Sequence, residues 1–83
     1  MRTAQITVTG DPTLLFDKST VWRDCHIHNE TGAIYVGDEN VTTTTGAKID
    51  NNFHDTFQLP PTTALYAVSN SGTVTVYVWE IHG

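Results

Sequence analysis

Eighty-three residues with a single cysteine confine the chain to one domain, here residues 1–83, without an internal disulfide. Nine acidic against four basic side chains give a net charge of −5, and without a basic cluster to meet a phosphate backbone, direct DNA or RNA binding is not expected. No apolar run approaches the ~20 residues of a spanning helix, and Met1-Arg-Thr-Ala-Gln-Ile6 has neither a basic nor an apolar signal region, so a soluble chain with no membrane partner and no cleaved signal is expected.

Threonine, valine, isoleucine and aromatic residues dominate, and side-chain character alternates with period two, which is strand patterning. The first strand is predicted over residues 4–9, with Ala4, Ile6 and Val8 on one face. Gly10-Asp11-Pro12 breaks it, so residues 1–12 could serve as an N-terminal arm or exchanged strand. A short strand follows over residues 13–17, then a turn at Lys18-Ser19 and a stronger strand over residues 20–29. There Val21, Cys25 and Ile27 share a face with Arg23 and are assigned to the core, while Trp22, Asp24, His26 and His28 share the other.

Residues 29–32, with Thr31-Gly32, read as a hairpin turn into a strand over residues 33–37. The polar stretch 38–52 reads as a long surface loop, with an edge pairing at residues 41–43 and a brief strand near residues 48–50. Residues 53–59 place Phe53, Asp55, Phe57 and Leu59 on one face before Pro60-Pro61 ends the element. Residues 64–68 and 73–81 read as the clearest hairpin, joined at Ser69-Asn-Ser-Gly72. Val74, Val76 and Val78 then face the core, and Tyr77, Trp79 and Ile81 face outward or toward a neighbour. About seven short strands and no helix predict an all-β fold, a small antiparallel β-sandwich or partly open barrel.

Three segments in this order, Thr9-Gly-Asp-Pro-Thr-Leu-Leu15, residues 29–45 and residues 64–80, resemble small all-β virion proteins of tailed bacteriophages, of the capsid decoration or minor capsid type. The resemblance spans most of the chain and departs from the pattern at residues 46–61. Its matching positions are Gly32, Tyr35, Val36, Gly37, Val41, Thr42, Leu65, Tyr66, Ala67, Gly72 and Val74, all as scaffold and none as catalytic. It implies a structural protein of the virion, assembled in the host cytoplasm, that binds the major capsid protein on the outer surface and stabilises the head. A minor tail, collar or fibre-attachment protein is the alternative within the particle.

His26 and His28 share one strand face roughly 7 Å apart, a spacing that chelates zinc or nickel when a third ligand such as His54 or Asp24 approaches. No third ligand is fixed by the spacing, so neither a metal nor another cofactor is expected. Cys25 falls on the inward face, where a thiol is kept protonated. Asp38-Glu39 sits in an exposed turn, and no Gly-x-Ser-x-Gly elbow or phosphate-cradling loop is present, so the chain does not read as an enzyme. Large outward aromatics commonly anchor interfaces. The interface candidates are Trp22, Tyr77 and Trp79 with Ile81, and Ile6 and Val8 of the exchangeable N-terminal strand, with a homo-oligomer, in particular a trimer, as the expected assembly. A glycan-binding adhesion module stacking sugars on Trp22 or Trp79 is the rival from another functional class.

Overall fold

The computed structural model describes residues 2–82. It holds eight strands: β1 (Arg2–Val8), β2 (Thr13–Phe16), β3 (Arg23–Asn29), β4 (Ile34–Gly37), β5 (Ala47–Ile49), β6 (His54–Leu59), β7 (Leu65–Ser69) and β8 (Val74–His82). They form two antiparallel sheets ordered β1-β8-β3-β6 and β2-β7-β4-β5, an all-β sandwich rather than a closed barrel. No helix occurs among the described residues.

The topology is that of one long hairpin rolled on itself. Among the described strands β4 and β5 are the one consecutive pair within a sheet, and around them β3 pairs with β6, β2 with β7 and β1 with β8. Rolling that ribbon brings β8 beside β3 and β7 beside β4, which is the strand order of a jelly roll. Two hairpins expected from turn chemistry are therefore sheet-crossing corners. β3 and β4 lie in different sheets, as do β7 and β8, because Gly32 and the positive-φ Gly72 reverse the chain without dictating which neighbour the next strand pairs with.

Period-two alternation places Val74, Val76 and Val78 of β8 inward, opposite Val8, Ile6 and Ala4 of β1. With Phe16, Leu15, Ile27 and Ile34 they make the centre of the core, each fully buried large side chain contributing ~1.5–3 kcal/mol of transfer free energy. Phe57 reaches in from edge strand β6 and meets Phe16 edge-on, ring centroids 6.0 Å apart. Its expected face-mates Phe53 and Asp55 are exposed, because the sheet ends at β6 and the sandwich no longer covers them. Val21, assigned to the core from its period, is 40% exposed. The chain bends at residues 20–21 and β3 starts only at Arg23, so the inner position goes to the arginine instead.

The two outer faces differ. Residues 38–46, expected as a free loop with an edge pairing at 41–43, fold back over β4 as a compact turn in which Val41 is buried. Gly46 N–H donates to the Thr42 carbonyl at 2.9 Å, and Thr42 N–H donates to Thr45 Oγ1 at 3.1 Å. Gly37 and Gly46 give Val41 its room. A Cβ on Gly46 would lie 2.8 Å from both Tyr35 Cβ and Val41 Cγ2 and 3.1 Å from the Thr42 carbonyl oxygen. Gly46→Ala should therefore destabilise the fold by about 1–3 kcal/mol through overpacking. Gly10→Ala, which meets nothing within 4 Å, should stay within about 0.5 kcal/mol in the same urea titration.

Candidate interaction face

On the outer face of the β1-β8-β3-β6 sheet the alternation that buries the valines turns the remaining side chains outward in rows. Trp79 sits between Thr3 and His26, with Thr56 beyond. Tyr77 sits between Gln5 and His28, with His54 beyond, and Ile81 lies beside Asp24 and Gln58. Cross-strand neighbours of this kind are close enough to touch, and here their rings stack. The His26 imidazole lies on the Trp79 indole with centroids 3.8 Å apart and planes 15° apart, and His54 continues the stack at 5.5 Å and 10°. His28 stands 6.3 Å from both His54 and Tyr77.

Polar contacts fix the rings. His26 Nδ1 and Thr56 Oγ1 are 2.9 Å apart, Gln58 Nε2 donates to Asp24 Oδ1 at 3.0 Å, and Glu30 Oε1 lies 3.7 Å from His28 Nε2. Burial pushes the His26 imidazole below its ordinary pKa, and the neighbouring His54 and His28 add to this, against a smaller opposite pull from Asp55. Its neutral form is the one that the site favours.

His26 and His28 are thus brought together with His54, which stacks on His26 and stands edge-on to His28. Among the described residues no group of three or more His, Cys, Asp or Glu is placed to hold a metal ion. Asp24, the other third ligand considered, is engaged with Gln58. Cys25 is 1% exposed, and burial raises its thiol pKa, with Arg23 beside it pulling the other way. Asp38 and Glu39 lie on the rim of an open cleft of ≈300 Å³ with Asp17 and Tyr66, at the loop end of the sandwich and away from the histidines.

Of the interface candidates, Tyr77 and Ile81 are 37% and 45% exposed, and Trp79 is half-buried under His26. Trp22, 55% exposed, precedes β3. Ile6 and Val8 point the other way. β1 is paired with the chain's own β8 from Arg2↔Glu80 to Val8↔Val74, which puts Val8 in the core and packs Ile6 against it. In this fold they are not open to a partner, and residues 2–8 are a paired strand rather than a free arm; Met1 lies outside the described residues. His54 is named from sequence only as a possible third ligand, and Gln58 is not singled out at all. Their period on β6 put them opposite Phe57 and Leu59, but only the β3–β6 register shows that they join His26 and Asp24.

Comparison with known protein families, curated proteins and solved structures finds no match for the chain.

The lowered His26 pKa makes stability depend on pH with a definite sign. Between the ordinary imidazole value and the lowered one the unfolded chain binds more protons, so stability rises with pH through that window and falls on acidification. Urea unfolding between about pH 5 and 7 should show this slope, and His26→Gln should remove this residue's share of it. An unchanged slope would mean that the imidazole is not desolvated by the stack.

Proposed function

We propose that this chain is a non-enzymatic virion structural protein, a capsid decoration or cement protein that binds the major capsid protein on the outside of a bacteriophage head and stabilises the shell. The observation that carries this reading is the outer face of the β1-β8-β3-β6 sheet, where Trp79, His26 and His54 stand stacked beside exposed Tyr77 and Ile81. Aromatic side chains already held in place lose little conformational freedom on docking, so they suit interface anchors. The resemblance over residues 9–15, 29–45 and 64–80 supplies the particle. Jelly-roll sandwiches serve in viral capsids and in lectins alike, and the fold by itself assigns no function.

A protein that binds the assembled shell in preference to free subunits shifts the equilibrium against disassembly. Particles lacking the chain should therefore break at lower temperature than complete ones, and adding the chain back should restore them. Equal robustness, together with absence of the chain from purified particles, would refute the reading. Copy number separates a head protein, present in hundreds of copies as an order of magnitude, from a tail, collar or fibre-attachment component present in few.

The Asp24–Gln58 pair favours a second reading. It sets a carboxylate and an amide, 3.0 Å apart, in the row next to Trp79, and aromatic faces flanked by such groups suit a saccharide ring and its hydroxyls. Saturable binding to host-surface glycans, lost in Trp79→Ala with the fold retained, would establish an adhesion module in place of a decoration protein.

A further inference from the structure

We infer that two copies of this chain pair edge to edge through strand β1, joining their four-stranded β1-β8-β3-β6 sheets into one continuous sheet. The pairing is independent of the proposed particle role. It runs through the backbone, so neither Ile6 nor Val8 has to turn outward.

The four sheet edges are unequal. An edge strand exposes a row of unpaired N–H and C=O groups, which proteins blunt with short strands, bulges or charges. β2 has four residues and a register break between Leu14 and Phe16. β5 has three, with Lys48 paired to Asp50 at 3.4 Å. β6 carries the exposed Asp55 opposite Ile27, and its carboxylate accepts the Thr56 N–H at 2.9 Å. β1 has none of these devices. Its seven residues pair with β8 without a break, and its one charge, Arg2, lies at the end and is engaged by Glu80. Among the described residues, no hydrogen bond other than the β8 ladder reaches the backbone of residues 2–8. The backbone groups that point away from β8 are met only by water or by another extended chain.

A single open edge also selects its occupant. Antiparallel pairing of β1 with itself about a two-fold axis satisfies both copies at once and leaves no open edge for a third. A three-fold ring would join two different edges head to tail, and β6, at the other end of this sheet, is blocked by Asp55. The geometry therefore favours a pair over the trimer expected from sequence. The register that overlaps all seven residues sets Gln5 opposite the partner's Gln5, Thr3 opposite the partner's Thr7 and Ala4 opposite the partner's Ile6. Inward residues then lie beside inward residues and uncharged polar ones beside their like, the cross-strand pairs that stabilise a ladder. A foreign strand would have to match this alternation, whereas a second copy matches it by identity. Charge permits the approach. In residues 1–19 Asp11 and Asp17 balance Arg2 and Lys18, so the net charge of −5 resides in residues 20–83. Both Trp79 and His26 faces come to lie on one side of the joined sheet, so a partner bound there would be held by two attachments instead of one.

Sedimentation equilibrium of the full chain from micromolar to millimolar, with hydrogen exchange at the same concentrations, tests this. The weight-average mass should rise from one chain to two and stop there. Amide protection within residues 2–8 should rise with it while residues 54–59 stay unchanged. Gln5→Lys and Gln5→Glu each set like charges opposite one another across the axis. Each should raise the dissociation constant about three- to fivefold with an unchanged far-UV circular dichroism spectrum, and an equimolar mixture of the two should restore it. Thr44→Lys, exposed in the turn over the other sheet, should leave it within about twofold. A single-chain mass at millimolar concentration, a limiting mass of three chains, or Gln5 variants that mixing does not rescue would overturn the pairing. Protection of residues 2–8 that appears only when particles are added would put a foreign strand on the edge and overturn it equally. A pair that forms but never binds particles supports the pairing and removes the decoration role. A chain that stays monomeric yet binds particles overturns the pairing and leaves that role standing.

Discussion

Burying the Arg23 guanidinium, whose side chain is 1% exposed, would cost several kcal/mol were it left unpaired. Its partners come from three separate parts of the chain. One nitrogen donates to the Asp17 carbonyl just after β2 and approaches Glu80 of β8 at 3.4 Å, and the other donates to the Thr63 carbonyl before β7 at 2.7 Å. The second oxygen of Glu80 meets Arg2 of β1 at 3.3 Å. One side chain on β3 thus ties its own sheet to the two connections that lead out of and into the other. At the far end of the same strand Asn29 repeats the arrangement, its amide donating to the carbonyls of Gly32 and Ile49 while its backbone N–H donates to Phe53. Between these polar ends Cys25 and Ile27 fill the core.

With β3 held at both ends, its outer side chains are held too. Asp24, His26 and His28 take their rows against β8 and β6 because Arg23, Cys25, Ile27 and Asn29 are locked inward. The ring stack on the outer face is therefore a by-product of inner-face packing, and it does not need a ligand to form. The asymmetry between the two outer faces follows from topology. Residues 38–46, which join β4 to β5 within one sheet, are long enough to fold over that sheet, whereas among the described residues no loop covers β8 and β3 at the middle of the other.

Period-two alternation makes much of this legible in the sequence itself. The inward valines of β8, the outward Tyr77, Trp79 and Ile81 and the inward Cys25 and Ile27 all follow from it. What alternation could not convey was pairing. Gly32 and Ser69-Asn-Ser-Gly72 carry hairpin chemistry, but the strands after them cross to the opposite sheet, because turn residues encode a reversal and not a partner. The role of Arg23 was hidden for the same reason. Its position among Val21, Cys25 and Ile27 marked it as inward, yet its acceptors lie 6, 40 and 57 residues away. The place of His54 opposite His28 is set by register with β3, a strand distant from it in sequence.

The fold depends on the pairing of the buried guanidinium, and urea unfolding of Arg23→Met beside Arg23→Met/Glu80→Met tests this most directly. The single variant leaves Glu80 buried without its inner partner and should lose about 3–5 kcal/mol. The double variant should recover part of that loss, and only part, because the carbonyls of Asp17 and Thr63 still lack their donors and each costs about 1–3 kcal/mol. An Arg23→Met chain within about 0.5 kcal/mol of the parent would show that the fold does not depend on this side chain.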